Sequence, residues 1–373
     1  MNGSSGQPIP PGATIGVIGG GQLGRMLILE GARMGYRWAV IDRDLEGPAA
    51  QVADAAFAPA DFKEFAAACR VATYEFEHFD GDTVKRIEAL VPTFPATSIL
   101  DIKRNRVSEK TFLSGRGFPV PRFWTFADIR DVRPLIPHNL PLVVKTSTGG
   151  YDGKGLRILR NEQDYAAAEA DLRGEIIAEE LVPFTREIST ICARNAHGDI
   201  AVYPIVENVH RDGILLYTVA PVRVGTGVRT RVVDIVTGLA RELGLVGLLV
   251  VEMFLVDNDE VLINEFAPRP HNSGHYTIDA CDISQFEMLI RTICNLPLET
   301  PRLISPAAML NILGKGIQEL DYNRLLSVPG AQLHLYGKRD TRGRRKMGHI
   351  TVLDPSEDDL MRKLSFMERL VYG

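Results

Sequence analysis

Residues 248–266, LLVVEMFLVDNDEVLINEF, decide how the central part of this chain folds. Two apolar runs flank a polar turn at residues 257–260, and this pattern is typical of a β-hairpin. If the turn is centred on its middle peptide bond, Glu252 and Glu265 lie opposite each other on one face of the hairpin. We therefore expect their Cβ atoms to be about 5 Å apart.

Two facing carboxylates on an apolar hairpin repel each other unless a positive charge lies between them. Magnesium is the expected ion, because it is held by one or two carboxylates together with substrate phosphates. Asn264 alternates to the other side of the strand, but a twisted strand would bring it to the same ion. Alternatively, one of the two glutamates points to solvent or pairs with an arginine.

A glycine-rich loop upstream predicts a phosphate contact. The apolar strand 142–145 ends at Lys145, and residues 149–155, GGYDGKG, follow with four glycines. Glycines let backbone N–H groups close over phosphate oxygens, and Lys145 and Lys154 would add positive charge. The loop is not a Walker motif, because that motif has serine or threonine directly after Gly-Lys, and here Gly155 follows Lys154. An exposed hairpin loop is the alternative, but a strand lysine, a flap and a carboxylate pair together favour a nucleoside triphosphate.

The N-terminal part alternates strands and helices, which predicts a parallel sheet. Residues 19–24 read GGGQLG, a G-x-G-x-x-G pattern that is typical of dinucleotide binding, and Asp42 ends the next strand. A dinucleotide-binding oxidoreductase is thus one hypothesis, but it leaves the later carboxylates and the glycine loop unexplained. Glu75 and Glu77 follow the third strand, where ligands of such sheets bind.

Composition excludes some classes of protein. The chain has 373 residues and a formal net charge of −5, so we expect no nucleic-acid partner, which would favour a basic surface. No apolar run is long enough to suggest a membrane span. The four cysteines are scattered, which favours reduced thiols and a cytoplasmic location. Residues 1–12 are rich in Gly, Ser and Pro and predict a flexible tail.

Several motifs together resemble a known family. They are GGGQLGRM (19–26), YEFEH (74–78), KTSTGGYDGKG (145–155), FTREIS (184–189), ENVHRDGIL (207–215), NEFAPRPHNSGHYTIDAC (264–281) and RKMGHI (345–350). The order of these motifs is similar to the ATP-grasp superfamily and, within it, to the N5-carboxyaminoimidazole ribonucleotide synthetases of purine biosynthesis. The resemblance extends from Ile15 to Val352.

The resemblance implies a fold of α/β and α+β type. An N-terminal Rossmann-like (pre-ATP-grasp) domain with a parallel sheet would precede the ATP-grasp fold. We expect four segments: a flexible tail at 1–12, the Rossmann-like domain at 13–103, the small or lid ATP-grasp domain at 104–178, and the large ATP-grasp domain with a C-terminal subdomain at 179–373.

The resemblance also implies roles for individual residues. The ATP-binding set would comprise Arg106, Lys145, Gly150, Tyr151, Asp152, Gly153, Lys154, Gly155, Glu179, Glu180, Leu181, Val182, Glu187, His210, Asn264 and Glu265. The set that binds the ribotide would comprise Gly21, Gln22, Glu75, Tyr151, Asp152, Arg269, His271, Asn272, Ser273, Lys338 and Arg345. Glu252 and Glu265 would hold two magnesium ions, and Arg269, His271, Asp152 and Lys154 would be catalytic.

The implied reaction joins bicarbonate to the amine of 5-aminoimidazole ribonucleotide (AIR) at the expense of ATP, through carboxyphosphate. Arg269 would hold bicarbonate, and His271 and Asp152 would orient the amine or relay its proton. A purely structural His271 is an equal alternative.

Two positions depart from the family pattern: Asn105 replaces the usual acidic residue, and Lys154 replaces an arginine that is often found there. A formate-using ribotide transformylase is the alternative ligase, and a homodimer is the family expectation.

Overall fold

The apolar runs of the N-terminal part form a parallel sheet, as predicted. The computed structural model describes residues 7–77, 79–149, 155–341 and 343–373. Strands of the first sheet lie in the order β3-β2-β1-β4-β5. The elements of this part are β1 Thr14–Ile18, α1 Gln22–Arg33, β2 Arg37–Ile41, β3 Ala55–Phe57, α2 Phe62–Ala68, β4 Val71–Tyr74, α3 Gly81–Glu88, β5 Thr93–Phe94 and α4 Thr97–Lys103.

The second sheet is antiparallel, and its strands lie in the order β6-β9-β7-β8. Its elements are α5 Arg106–Gly115, β6 Phe123–Phe126, α6 Ile136–Asn139, β7 Leu142–Thr146, β8 Leu156–Leu159, α7 Glu162–Asp171 and β9 Ile176–Glu180. The apolar side chains of β7 and β9 pack on Tyr165 and Ala168 of α7 in a small separate core. The expected domain boundary at residue 178 falls inside β9, and the boundaries as a set stay a prediction.

The third and largest sheet contains the hairpin and lies in the order β15-β14-β10-β12-β13-β16-β18-β17, with β11 beside β10. Its elements are β10 Arg186–Arg194, β11 Ile200–Val202, β12 Val206–Arg211, β13 Ile214–Ala220, α8 Thr226–Glu242, β14 Gly247–Leu255, β15 Val261–Ala267, α9 Thr277–Ala280, α10 Gln285–Ile293, β16 Ala307–Leu313, α11 Tyr322–Leu326, β17 Ala331–Leu335, β18 Lys346–Leu353 and α12 Glu357–Tyr372. The C-terminal strands β16, β17 and β18 therefore extend the sheet that carries the hairpin.

Helices cover both faces of this sheet and connect it to the N-terminal part. Helix α8 packs its apolar side on β10 and β14. Helix α10 packs on α1, and residues of both helices belong to one buried cluster. Gly31 permits this close approach, because a Cβ atom there would lie 2.9 Å from Ile290. The two parts thus share a core, which fixes the glycine turn of β1 relative to the large sheet.

Within the described ranges, no helix has the length and apolar character needed to cross a membrane.

Candidate active site

The predicted hairpin is confirmed, and Glu252 of β14 pairs with Glu265 of β15. A β-bulge shifts the register next to this pair, so that Met253 faces Ile263 and Asn264 is the extra residue. The glutamate pair is therefore in the predicted register, but the strand residues between this pair and the turn are shifted by one residue. A bulge redirects side chains, which removes the strict alternation that separated Asn264 from its neighbours.

Glu265 already has one cation beside it. The Nζ atom of Lys103, at the end of α4, lies 2.7 Å from Glu265 and 3.0 Å from the buried Glu109. Lys103, with smaller contributions from Lys145 and Arg106, lowers the pKa of Glu265 well below its usual range despite opposing burial. The Glu109 carboxylate also accepts a hydrogen bond from the N–H of Phe266 at 2.8 Å. Glu265 is thus held as an anion, and its side chain is 47 % exposed.

No lysine or arginine of the described ranges lies within salt-bridge distance of Glu252. Among the described residues, the basic side chain within salt-bridge distance is His271, whose Nε2 lies 3.4 Å away. Burial and the charge of Glu265 raise the pKa of Glu252 to about 7. Burial and the nearby Arg269 lower the pKa of His271, so that imidazole is neutral. The carboxylate pair therefore has more negative charge than the protein neutralises, which is the condition for binding a cation.

The loop that carries His271 is fixed by Gln285, the first residue of α10. The Gln285 amide accepts from the N–H of His271 and donates to its carbonyl, each at 2.9 Å. The same amide contacts Nδ1 of His275 at 3.0 Å. The His271 Nδ1 atom also lies 2.9 Å from the hydroxyl of Ser273, which leaves Nε2 directed toward Glu252.

Arg269 joins the hairpin side of the site to the N-terminal sheet. Its Nε atom lies 2.8 Å from the buried carboxylate of Glu77, which follows β4. Burial opposes ionisation of Glu77, but Arg269 outweighs it and lowers the pKa of Glu77. The backbone carbonyl of Glu77 accepts from Arg104 at 2.6 Å. Arg269 is thus held in place from one side by an anion of another domain.

A second charged cluster lies on strands β7 and β9 and on helix α5. Glu179 on β9 contacts Lys110 at 2.9 Å and also Lys145 on β7. Burial opposes ionisation of Glu179, but Lys145 and Lys110 outweigh it and lower the pKa to about 2. Arg106 donates to the carbonyl of Thr146 at 2.7 Å. These basic groups adjoin Gly155, whose φ of +68° belongs to the left-handed region that favours glycine.

The remaining expected ATP contacts are divided between the end of β9 in the second sheet and strands β10 and β12 of the third sheet. Glu180 ends β9 and lies 3.8 Å from Arg122, and Leu181 and Val182 follow it. Glu187 of β10 lies 2.9 Å from Nδ1 of His210 on β12. Burial opposes protonation of His210, but Glu187 outweighs it and raises the pKa of His210.

The expected ribotide contacts are divided between this loop and the C-terminal part. Asn272 exchanges hydrogen bonds with Asn311 of β16 at 2.6 and 2.9 Å. The Ser273 hydroxyl lies 3.0 Å from that of Ser189. Lys338 donates to the carbonyl of Lys346 at 2.8 Å, and Arg345 lies 3.4 Å from Asp340. Their predicted contact with the ribotide phosphate stays a prediction.

The glycine turn after β1 is filled by the protein itself. Glu75 accepts hydrogen bonds from the N–H groups of Gly21 and Gly24, the latter at 2.6 Å, at the start of α1. Asp42 accepts from the N–H of Gly20 at 2.7 Å. A carboxylate therefore lies where a dinucleotide would place its pyrophosphate, and the acid expected at the ribose is engaged by backbone. Gln22 is the first residue of α1, beside this filled turn.

Five of the expected site residues, Gly150, Tyr151, Asp152, Gly153 and Lys154, lie outside the described residues. So do His78 and Arg342. Four residues of the site were not anticipated: Lys103, Glu109, Lys110 and Gln285. No local motif marks them, because each acts through a partner more than a few residues away in the sequence or on another element.

The fold and these clusters define an ATP-grasp ligase: a lysine-lined nucleotide side and a carboxylate pair on an antiparallel sheet, preceded by a parallel-sheet domain. Three family profiles match the chain. They describe a ribonucleotide synthetase preATP-grasp domain at residues 12–104, an ATP-grasp domain at 111–286 and a phosphoribosylaminoimidazole carboxylase C-terminal domain at 307–363. The fold class expected from the sequence is thereby confirmed.

Relatives that match nearly the full length of the chain identify its family within the ATP-grasp ligases. N5-carboxyaminoimidazole ribonucleotide synthase of Bacillus subtilis is 39 % identical over 366 residues, 96 % of each chain. A crystal structure of such a synthetase in complex with ADP has a TM-score of 0.92 and 40 % identity, covering 97 % of each chain. The Aspergillus clavatus enzyme in complex with ADP and AIR has a TM-score of 0.86 and 29 % identity, covering 96 % of this chain and 98 % of that one. The chain belongs to the N5-carboxyaminoimidazole ribonucleotide synthase family.

Proposed function

We propose that the crevice between the carboxylate pair and Arg269 is where ATP, bicarbonate and AIR react to give N5-carboxyaminoimidazole ribonucleotide, ADP and phosphate. The observation that carries this proposal is the unequal charge of the two clusters. The Glu179 cluster has an excess of positive charge, and the Glu252–Glu265 pair has an excess of negative charge. A triphosphate and its divalent cations complement this arrangement.

The donor set of the pair fits magnesium. Glu252 and Glu265 offer carboxylate oxygens, Asn264 is the extra residue of the adjacent bulge and would add an amide oxygen, and hard oxygen ligands are those that magnesium prefers. Glu252 and Glu265 would hold the two ions expected from the sequence. Bound magnesium would neutralise charge on the phosphate oxygens. Lys145 and Arg106 would contact the phosphates from the other side, and Glu187 would accept hydrogen bonds from the ribose hydroxyls.

Bicarbonate needs activation because its anionic oxygens shield its carbon. A bicarbonate oxygen attacks the terminal phosphorus of ATP, ADP leaves, and carboxyphosphate forms. Carboxyphosphate then collapses to CO2 and phosphate, and the amine of AIR attacks CO2 and loses a proton. The guanidinium of Arg269 suits a planar oxyanion, and Glu77 holds its Nε side so that the rest of the fork is oriented. From the sequence, the glycine-rich residues 149–155 are expected to exclude water from the intermediate.

His271 is suited to receive the proton of the amine. Its lowered pKa keeps the imidazole neutral, and its Nε2 atom faces Glu252 across 3.4 Å. Gln285 fixes the backbone on both sides of its Cα atom, so the ring has a defined position. A role as proton relay therefore has a geometric basis, whereas a merely structural histidine would not need a carboxylate beside its free nitrogen.

The experiment is phosphate release from ATP with each substrate omitted in turn, together with ¹³C-bicarbonate NMR of the product. We expect phosphate release to need both bicarbonate and AIR, and the label to appear in a carbamate on the imidazole. Turnover that ignores AIR would contradict the proposal. Turnover with formate in place of bicarbonate would instead support the transformylase alternative. The homodimer and the cytoplasmic location stay predictions, to be tested by sedimentation and by fractionation.

A further inference from the structure

We propose that Asp279, His334 and His349 form a binding site for a divalent transition-metal ion of the zinc class, separate from the carboxylate pair. Each residue offers one ligand atom, and these atoms all lie within 4.8 Å of one another. Two imidazoles and one carboxylate are donors that zinc, cobalt and nickel prefer, whereas magnesium prefers oxygen alone. The active-site cation and this ion are therefore distinguished by chemistry as well as by place.

The strongest observation concerns His349. It is fully buried, and its Nδ1 atom is engaged by the hydroxyl of Tyr336 at 2.8 Å. Its Nε2 atom has no hydrogen-bond partner among the described residues. A buried nitrogen without a partner is unfavourable, and a metal ion at Nε2 would satisfy it. Tyr336 would then fix the tautomer of His349 in the way that outer partners of metal-bound histidines do.

Three different elements supply the ligands. His334 of β17 and His349 of β18 are directly opposite in the sheet, and Asp279 comes from α9. His334 Nε2 and the Asp279 carboxylate lie 2.9 Å apart. These two side chains are 27 % and 14 % exposed, so an ion can enter from their side while His349 closes the inner end.

The geometry needs one adjustment. The His334 and His349 rings are stacked with centroids 4.5 Å apart. Both cannot bind one ion in their ring planes without movement, so the more exposed His334 ring must tilt out of the stack. With metal–ligand bonds of about 2.0–2.2 Å, ligand atoms lie about 3.3 Å apart in a tetrahedral site, which also draws the three residues slightly together.

An ion here would stiffen the loop of the active site without contacting it. The His275 ring lies 5.1 Å from that of His349, and its Nδ1 atom contacts Gln285, which holds His271. We therefore expect the ion to raise thermal stability more than it changes turnover. A hydrogen-bonded cluster without any ion is the alternative that the experiment must separate.

The experiment uses the full chain without an affinity tag, dialysed against EDTA and then titrated with Zn²⁺ by calorimetry and with Co²⁺ by visible absorption. In the presence of magnesium and ATP, we expect each chain to bind one metal ion tightly. The Co²⁺ absorption spectrum should be that of an ion with a low coordination number. Asp279→Asn and His334→Ala should each weaken binding at least about 10-fold, and Tyr336→Phe should weaken it less. His138→Ala, at an exposed histidine on another element, is the matched control and should bind as the wild type does.

Glu265→Gln separates this site from the active site, because it should lower turnover about 10²–10³-fold yet still bind one zinc ion. Circular dichroism checks that each variant is folded. The proposal is overturned if the wild type takes up no stoichiometric Zn²⁺, or if Asp279→Asn and His334→Ala both bind it as tightly as the wild type.

Discussion

Two carboxylate sites of this molecule differ in how the protein balances their charge. Glu179 has two ammonium groups beside it, from Lys110 and Lys145. The Glu252–Glu265 pair has one ammonium, from Lys103, which it shares with Glu109. Both sites lie on strands that the sequence assigned to nucleotide binding.

This difference in charge balance supports a different proposed ligand for each site. An overcompensated carboxylate leaves a cation free to attract phosphate, and an undercompensated pair leaves an anion free to attract a metal. The glycine turn provides a third case, because the Glu75 carboxylate already accepts hydrogen bonds from the N–H groups of Gly21 and Gly24. A motif that resembles a dinucleotide site is thus filled from within, whereas the charge of the two proposed ligand sites is incompletely compensated, and the ribotide contacts expected at Gly21, Gln22 and Glu75 stay predictions.

The largest effect is expected for stability at the overcompensated site. Glu179→Gln removes the carboxylate and leaves Lys110, a buried cation, without its partner. Breaking a buried ion pair from one side destabilises by about 3–5 kcal/mol. Urea unfolding measures this. Glu180→Gln, the neighbouring exposed residue, is the control and should cost at most about 1 kcal/mol.

The ion pair of Glu179 and Lys110 also makes the stability of the protein depend on pH. The folded pKa of Glu179, about 2, lies below its ordinary value of 4.5. A lowered acid pKa contributes stability above the unfolded value, and this contribution is lost as pH falls from about 4.5 toward about 2. The difference in unfolding midpoint between wild type and Glu179→Gln should therefore shrink from pH 6 to pH 3. A difference independent of pH in that range would contradict the ion-pair assignment.

At the undercompensated site, the effect is expected in catalysis. Glu265→Gln should lower turnover about 10²–10³-fold, because a neutral amide binds a divalent ion poorly and no longer attracts Lys103. The fold should be retained, as circular dichroism would show, since the side chain is half exposed. Glu260→Gln, on the exposed turn of the same hairpin, is the control. Near-normal turnover of Glu265→Gln would reject the metal role.

The smallest effect is expected at the glycine turn. A Cβ atom at Gly21 would lie 2.4 Å from the Glu75 carboxylate, so Gly21→Ala should destabilise by about 1–3 kcal/mol. Gly227→Ala, where no atom lies within 4 Å, is the control and should be neutral or slightly stabilising. Fluorescence titration of the wild type with NADH should show no saturable binding. Micromolar binding would return the dinucleotide hypothesis.

Much of the fold followed from patterns along the chain. The parallel strands of the N-terminal sheet and the hairpin of residues 248–266 depend on short-range alternation, and both are confirmed. The cross-strand position of Glu252 and Glu265 also followed, since a hairpin fixes its own register. The bulge at Asn264 could not be predicted from the sequence, because the alternation of apolar side chains does not mark an extra residue.

The charge balance of the site could not be predicted in the same way. Lys103 reaches Glu265 from a helix 162 positions away in the sequence, and Gln285 holds His271 from the start of another helix. Nor does the glycine pattern reveal that Glu75, 51 positions from Gly24, fills the turn.

The sequence by itself determined the element types, the facing glutamates and the family, because these depend on neighbouring residues or on motifs that keep their order. Only the tertiary structure decided which charges are neutralised and which remain for a ligand. The physical reason is that ion pairing and burial depend on distances of a few ångströms between elements, and these distances are set by packing of the whole chain.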